Sequence, residues 1–166
     1  MDKTDTNTQT AVERGGFDPH TVFMKILAGD LPTSFIFRDE LVAAFMDIQP
    51  VNTGHILIVP NVAVARLAEL DAETGARLFH IGQRIGAAIR RTDIACEGVN
   101  LFLADGIAAG QTVYHVHLHV LPRFENDGFR FQFPEGYYDP PSHETIEHAA
   151  EKIRAACSMV SCEGGS

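Results

Sequence analysis

No stretch of this sequence stays apolar long enough to span a bilayer, and its first residues, MDKTDTNTQTAVERGG, lack the apolar centre of a secretory signal. Those two gaps argue against a membrane anchor and against export. Cysteine is scarce: Cys96, Cys157 and Cys162 are an odd set without metal-ligand spacing, so reduced thiols are expected rather than a disulfide framework. Positive charge is short as well. Thirteen Lys and Arg face 22 Asp and Glu, a net charge of −9, which disfavours nucleic acid or an anionic membrane as the main partner. A single nucleotide is not excluded, because a local pocket decides its binding. The expectation is a soluble, cytoplasmic protein. What is present is ordinary: 45% hydrophobic and 21% charged residues in a 166-residue chain, enough to bury a proper core.

Residues 1–16 are polar and end in Gly15-Gly16, the pattern of a disordered leader, and 161–166 read as a flexible tail. Between them, 17–160 are expected to form one domain. Asp18 and Pro19 suit the cap and first position of a helix, HTVFMKILAG, which ends at Gly29. FIFRD, LVAAFMD and HILIVP follow as strand-like runs separated by polar turns. Residues 66–91 have helical periodicity, with Asp71 as a cap and Leu78, Ile81, Ile85 and Ile89 on one face. A strand GVNLFLA, a loop DGIAAGQ and a histidine-bearing strand complete the sheet. After an irregular aromatic segment, 124–141, a last helix from Ser142 to about Met159 is expected to turn Ile146, Ala149, Ile153 and Ala156 inward. The order predicts an α+β fold: a five-stranded, mainly antiparallel sheet packed with two main helices, plus a C-terminal helix.

The segment QTVYHVHLHVLPR carries the chemistry. Strand side chains alternate faces, so His115, His117 and His119 share one side while Val116, Leu118 and Val120 take the other. Two uses compete for such a row: a metal held by a pair of rings, or chemistry performed by imidazole on an anion. Three rings from one strand converge poorly on one ion. The preceding loop favours the anion. Asp105-Gly106 and Ala109-Gly110 frame a turn whose glycines let backbone N–H groups approach a ligand, and Thr112 adds a hydroxyl.

GQTVYHVHLHVLPR resembles the signature of the histidine triad (HIT) superfamily, and FMDIQPVNTGHILIVP is similar to a second family segment. The resemblance spans about residues 18–125; its histidine segment is nearest the Fhit-like branch and TVFMKILAGDLP the Hint-like branch. It implies a nucleotide hydrolase or nucleotidyl transferase acting on a purine nucleoside phosphoramidate or a dinucleoside polyphosphate. His117 would attack the α-phosphorus and form a covalent nucleotidyl-histidine, its Nδ1–H held by the His115 carbonyl. His119 would face the leaving group, and His115 and His55 would orient the rings. Gly110, Gln111 and Thr112 would bind phosphate oxygens, and Asp47 the ribose. Phe23, Ile26, Leu31 and Ile48 would flank the base, although Phe23, Ile26 and Ile48 also fit a plain core role. A homodimer is implied. No cofactor is expected, beyond a divalent cation such as Mg accompanying a polyphosphate substrate.

The chain departs from the family pattern in two places. Several relatives hold zinc through Cys-x-x-Cys at the start of the first helix; here those places are Thr21 and Met24, and NVAVA after Pro60 has no histidine, so no structural metal is expected. Where relatives carry Asn or Gln seven residues before Gln111, this chain has Ala104. That substitution keeps a second class of function open, a nucleotide-binding interaction protein with weak catalysis. A metal-dependent enzyme using a histidine pair is the third.

Overall fold

Thr21 starts the first helix. In the computed structural model, which describes residues 20–163, its hydroxyl accepts the Met24 N–H at 3.3 Å and helix α1 runs Val22–Ala28. Gly29, in the left-handed region at φ 87°, closes it with N–H bonds back into the last turn. The cap is therefore Thr21 rather than Asp18, which lies with Pro19, the 1–16 leader and 164–166 outside the described residues.

The five expected strands form: β1 Phe35–Arg38, β2 Val42–Met46, β3 Ile56–Pro60, β4 Gly98–Leu103 and β5 Leu118–Arg123. They make one sheet in the order β1-β2-β3-β5-β4, every neighbouring pair antiparallel. Both faces of its centre are covered, and the two-residue alternation divides the side chains between them. Val42, Ala44, Ile56, Ile58, Val116, Leu118 and Val120 pack against helix α2, Ala72–Ile89, through its Leu78, Ile81, Ile85 and Ile89. Asp71 caps α2 by accepting the Thr74 N–H at 2.8 Å. Gly82 lets helix and sheet approach closely, since a Cβ there would lie 3.1 Å from Leu118 Cδ2. The opposite sheet face offers Ala43, Phe45, Leu57 and Val59 to Phe23, Ile26 and Leu27 of α1.

Two compact units divide the chain, the first running to Phe129 and the second starting at Arg130. The second contains helix α3, His143–Glu163, which continues past the expected end at Met159. Its apolar positions do not turn inward. Ile146 is 51% exposed and Ile153 63%, and Ala149 and Ala156 are exposed too. Periodicity identifies a face, but burial requires an opposing apolar surface. Among the described residues, no helix is long and apolar enough to cross a membrane.

Candidate active site

The histidine row differs from a uniform strand. β5 begins at Leu118, so only His119 lies within it, while His115 lies in a bend and His117 on the short stretch that leads into the strand. The alternation nevertheless continues through the approach. Val116, Leu118 and Val120 enter the core beneath α2, which leaves the histidines to the opposite side. His117 and His119 are closer than the strand rise of about 6.6 Å between same-face residues requires, with ring centroids 4.9 Å apart.

Each ring has a distinct set of partners. His115 is fully buried, between the Thr21 hydroxyl at 3.1 Å from Nδ1 and the Pro60 carbonyl at 2.9 Å from Nε2. A carbonyl only accepts, so Nε2 carries the proton and Nδ1 takes the Thr21 O–H. The His115 carbonyl in turn accepts from His117 Nδ1 at 2.7 Å. That bond leaves the lone pair of His117 on Nε2. The hydrogen bond expected for the middle ring is thus present.

His119 Nδ1 lies 2.9 Å from His55 Nε2. His55 Nδ1 accepts the Val51 N–H at 3.3 Å, which puts its proton on Nε2 for donation to His119 and leaves the His119 proton on Nε2. Asp47 Oδ2 stands 3.4 Å from the same His55 Nδ1, while Oδ1 accepts the Gln49 N–H at 2.9 Å. Asp47, His55 and His119 each offer a possible ligand atom, all within 4.8 Å of one another. Two tetrahedral nitrogen ligands at 2.0–2.1 Å from one ion would sit about 3.3 Å apart. The 2.9 Å separation of the two rings is instead that of a shared proton.

The loop before the rings uses its donors differently from the expectation. Gly110 N–H bonds to the Ile107 carbonyl and Gln111 N–H to the Gly106 carbonyl, at 2.9 and 3.1 Å. The Gln111 side chain is also engaged, accepting from Gly106 N and donating to Ala65 O. The Gly110 and Gln111 amides and the Gln111 side chain thus brace the loop in this structure. Gly106 and Gly110, at φ 94° and 87°, allow that tight path. Thr112 is exposed, and among the described residues neither its hydroxyl nor its amide has a hydrogen-bond partner.

A HIT domain family model matches residues 28–126. The chain belongs to the HIT family. A bis(5'-adenosyl)-triphosphatase from Dictyostelium discoideum is 32% identical over 126 residues, covering 74% of this chain and 84% of that protein. A purine nucleoside phosphoramidase from Escherichia coli is 34% identical over 101 residues, covering 61% and 85%. Among solved structures, a HIT family protein from Bacillus subtilis superposes with a TM-score of 0.74 at 33% identity, covering 82% of this chain and 96% of that one.

Burial dominates the electrostatics of this HIT site. It lowers the pKa of His55, His115 and His117 below the ordinary 6.5, although the Pro60 and His115 carbonyls pull His115 and His117 back upward, and Asp47 does so for His55. His119 moves furthest, pulled down to about 3 by burial and then by His117 and His55. The rings are therefore neutral near pH 7. The 3.4 Å approach of Asp47 to His55 is a contact with a neutral ring rather than an ion pair.

The proposed base neighbours separate into two kinds. Phe23 and Ile26 are buried core residues, with the Phe23 ring edge-on to His117 at 5.2 Å. Leu31 is 38% exposed and Ile48 83% exposed. Sequence reasoning missed Phe102 and Thr21. Phe102 stacks on His119 with centroids 4.2 Å apart and planes 9° from parallel. Its signal was concealed in the apolar run GVNLFLA, because only the strand register makes Phe102 the partner of His119.

Proposed function

We propose that this HIT protein hydrolyses, or transfers the nucleotidyl group from, a purine nucleoside phosphoramidate or a dinucleoside polyphosphate. The observation that carries the reading is the 2.7 Å bond from His117 Nδ1 to the His115 carbonyl, which frees Nε2 as a nucleophile. Relatives named as a bis(5'-adenosyl)-triphosphatase and a purine nucleoside phosphoramidase support the same substrate classes.

In the first step the His117 Nε2 lone pair forms a bond to the α-phosphorus as the bond to the leaving group breaks. The leaving group departs with that electron pair and takes up a proton from solvent. In the second step water attacks phosphorus, the N–P bond breaks, and the lone pair returns to His117 while the water proton passes to solvent. His119 donates a hydrogen bond from Nε2 on the leaving-group side. Thr112 donates to phosphate oxygens, and Asp47 accepts from the ribose hydroxyls. Leu31 and Ile48 cover the base above a floor that includes Phe23 and Ile26. No resident cofactor takes part; a divalent cation accompanies a polyphosphate substrate. The protein works in the cytoplasm as a homodimer, joined through α2 and the outer edge of β4.

Mass spectrometry of protein quenched during turnover tests the reading, with adenosine phosphoramidate and diadenosine tri- and tetraphosphate offered separately. A nucleotidyl adduct on His117 is expected with at least one of them. Turnover without an adduct, or no turnover of any, would remove it.

A further inference from the structure

The turn before β3 aims one ring of the histidine pair, and its own side chains have no part in the mechanism above. His55 Nδ1 accepts the Val51 N–H at 3.3 Å, and the His55 N–H donates to the Asn52 carbonyl at 3.1 Å. Val51 and Asn52 thus set the direction of His55 Nε2, which meets His119 Nδ1 at 2.9 Å.

Two groups contend for His55 Nδ1. The Val51 N–H needs a lone pair there, whereas Asp47 Oδ2, 3.4 Å away, draws a proton to it. The outcome passes to the next ring. With the proton on His55 Nε2, that ring donates to His119 Nδ1, and His119 keeps its own proton on Nε2, towards the leaving group. With the proton on His55 Nδ1, Nε2 becomes an acceptor, His119 must protonate Nδ1, and the leaving-group side loses its donor. The position of the Val51–Asn52 turn decides between the two.

That turn is anchored by Asn52. Only 9% exposed, Asn52 sends its side-chain amide to the Pro122 carbonyl and to Asp127 Oδ2, both at 2.9 Å. Both partners only accept, so the NH2 group faces them and each of its protons is used. Pro122 lies on the same strand as His119, so one amide fastens the turn that aims His55 to the strand that carries its partner. Asp127 is fixed as well. Its side chain is 3% exposed, and Arg123, also on β5, donates from Nε to Oδ2 and at 2.9 Å to Oδ1. Those bonds hold its carboxyl well below the usual carboxylate range, so it remains an acceptor for Asn52. Arg123 is held in turn by Asn100 of β4 and by the Phe129 carbonyl.

We propose that Asn52, fixed by Asp127, is a positioning residue that keeps the Val51 N–H on His55 Nδ1 and thereby the His119 proton on Nε2. The placement of the protons rests on this geometry; its consequence for the leaving group rests on the functional reading above.

Long-range proton–nitrogen NMR of the full-length protein near neutral pH shows which nitrogen of each ring is protonated. Wild type is expected to carry Nε2–H on both His55 and His119. Asn52→Ala should move both rings together towards Nδ1–H, and Asn52→Ser, a milder change, should lie between. Ile94→Ala is the control, because Ile94 packs beside Gly54 of the same turn without a part in these bonds; it should leave both ring protons in place. The kinetic counterpart compares kcat/KM for the adenosine phosphoramidates of ethylamine and trifluoroethylamine. The more basic nitrogen depends more on the donated hydrogen bond, so Asn52→Ala should cost that substrate about tenfold and the fluorinated one less. Ring protons unmoved in Asn52→Ala, the same movement in Ile94→Ala, or an equal loss on both substrates would overturn the positioning role. Wild-type protein that turns over neither substrate would remove the functional reading, and the ring protons would still decide the role of Asn52.

Discussion

His117 has one nitrogen committed to a backbone carbonyl and one left with its lone pair, and every catalytic expectation at the residue scale follows from that asymmetry. In the proposed mechanism His117→Ala removes the atom that bonds to phosphorus, so turnover should fall to the detection limit while nucleotide binding, measured by calorimetry, persists. Binding with residual turnover would reassign the nucleophile. Proton supply sets a second expectation. Because burial depresses the His117 pKa, the ring stays neutral below the pH at which a free imidazole becomes charged. The acid limb of kcat/KM should therefore lie below 6.5, and a limb above 7 would contradict the buried, uncharged nucleophile. Thr112→Val tests the phosphate contact. Removing the hydroxyl proposed to hold a phosphate oxygen should cost about tenfold in kcat/KM, in line with a hydrogen bond to a charged group.

At the scale of elements, α2 and β5 depend on one another. Leu118 is fully buried between His117 and His119 and lies under Gly82 of α2. Leu118→Ala should destabilise the fold by about 2–5 kcal/mol, read from the denaturant midpoint at unchanged slope. The elements legible in the sequence were those whose pattern meets a covered surface. The stripe Leu78, Ile81, Ile85 and Ile89 is buried as its spacing implied, and so are the apolar residues between the histidines. Ile146 and Ile153 have equally good spacing and are exposed, because a period specifies a face and not what faces it. The site was legible in the same partial way. Composition marked 105–111 as a glycine-bearing loop, yet whether Gly110 and Gln111 point their N–H groups at a ligand or at their own carbonyls depends on dihedral angles. Phe102 was hidden for another reason: opposition to His119 arises from strand register, which is long-range information.

For the whole molecule, the rings that burial keeps neutral set a limit on acid tolerance. Unfolded, each of His55, His115, His117 and His119 binds a proton near pH 6.5; folded, each does so only at lower pH. Below 6.5 the unfolded state thus binds more protons, so stability is undiminished by these groups above that value and declines as pH falls through it. His119 extends the decline furthest, towards pH 3. The melting temperature should drop progressively under acid, and His119→Gln should soften the lower part of that drop. A melting temperature flat from pH 7 to 4 would show that the rings are charged when folded.

One hydroxyl links two parts of the chain 94 residues apart, since Thr21 both caps α1 and holds the His115 ring. The carbonyl that accepts from His117 Nδ1 belongs to that same histidine. Heat or denaturant that frays the first turn of α1 would thus misaim His117 before the sheet melts. Inactivation is expected to precede global unfolding on a temperature ramp, and Thr21→Val should widen the gap between the two while sparing the substrate-facing atoms.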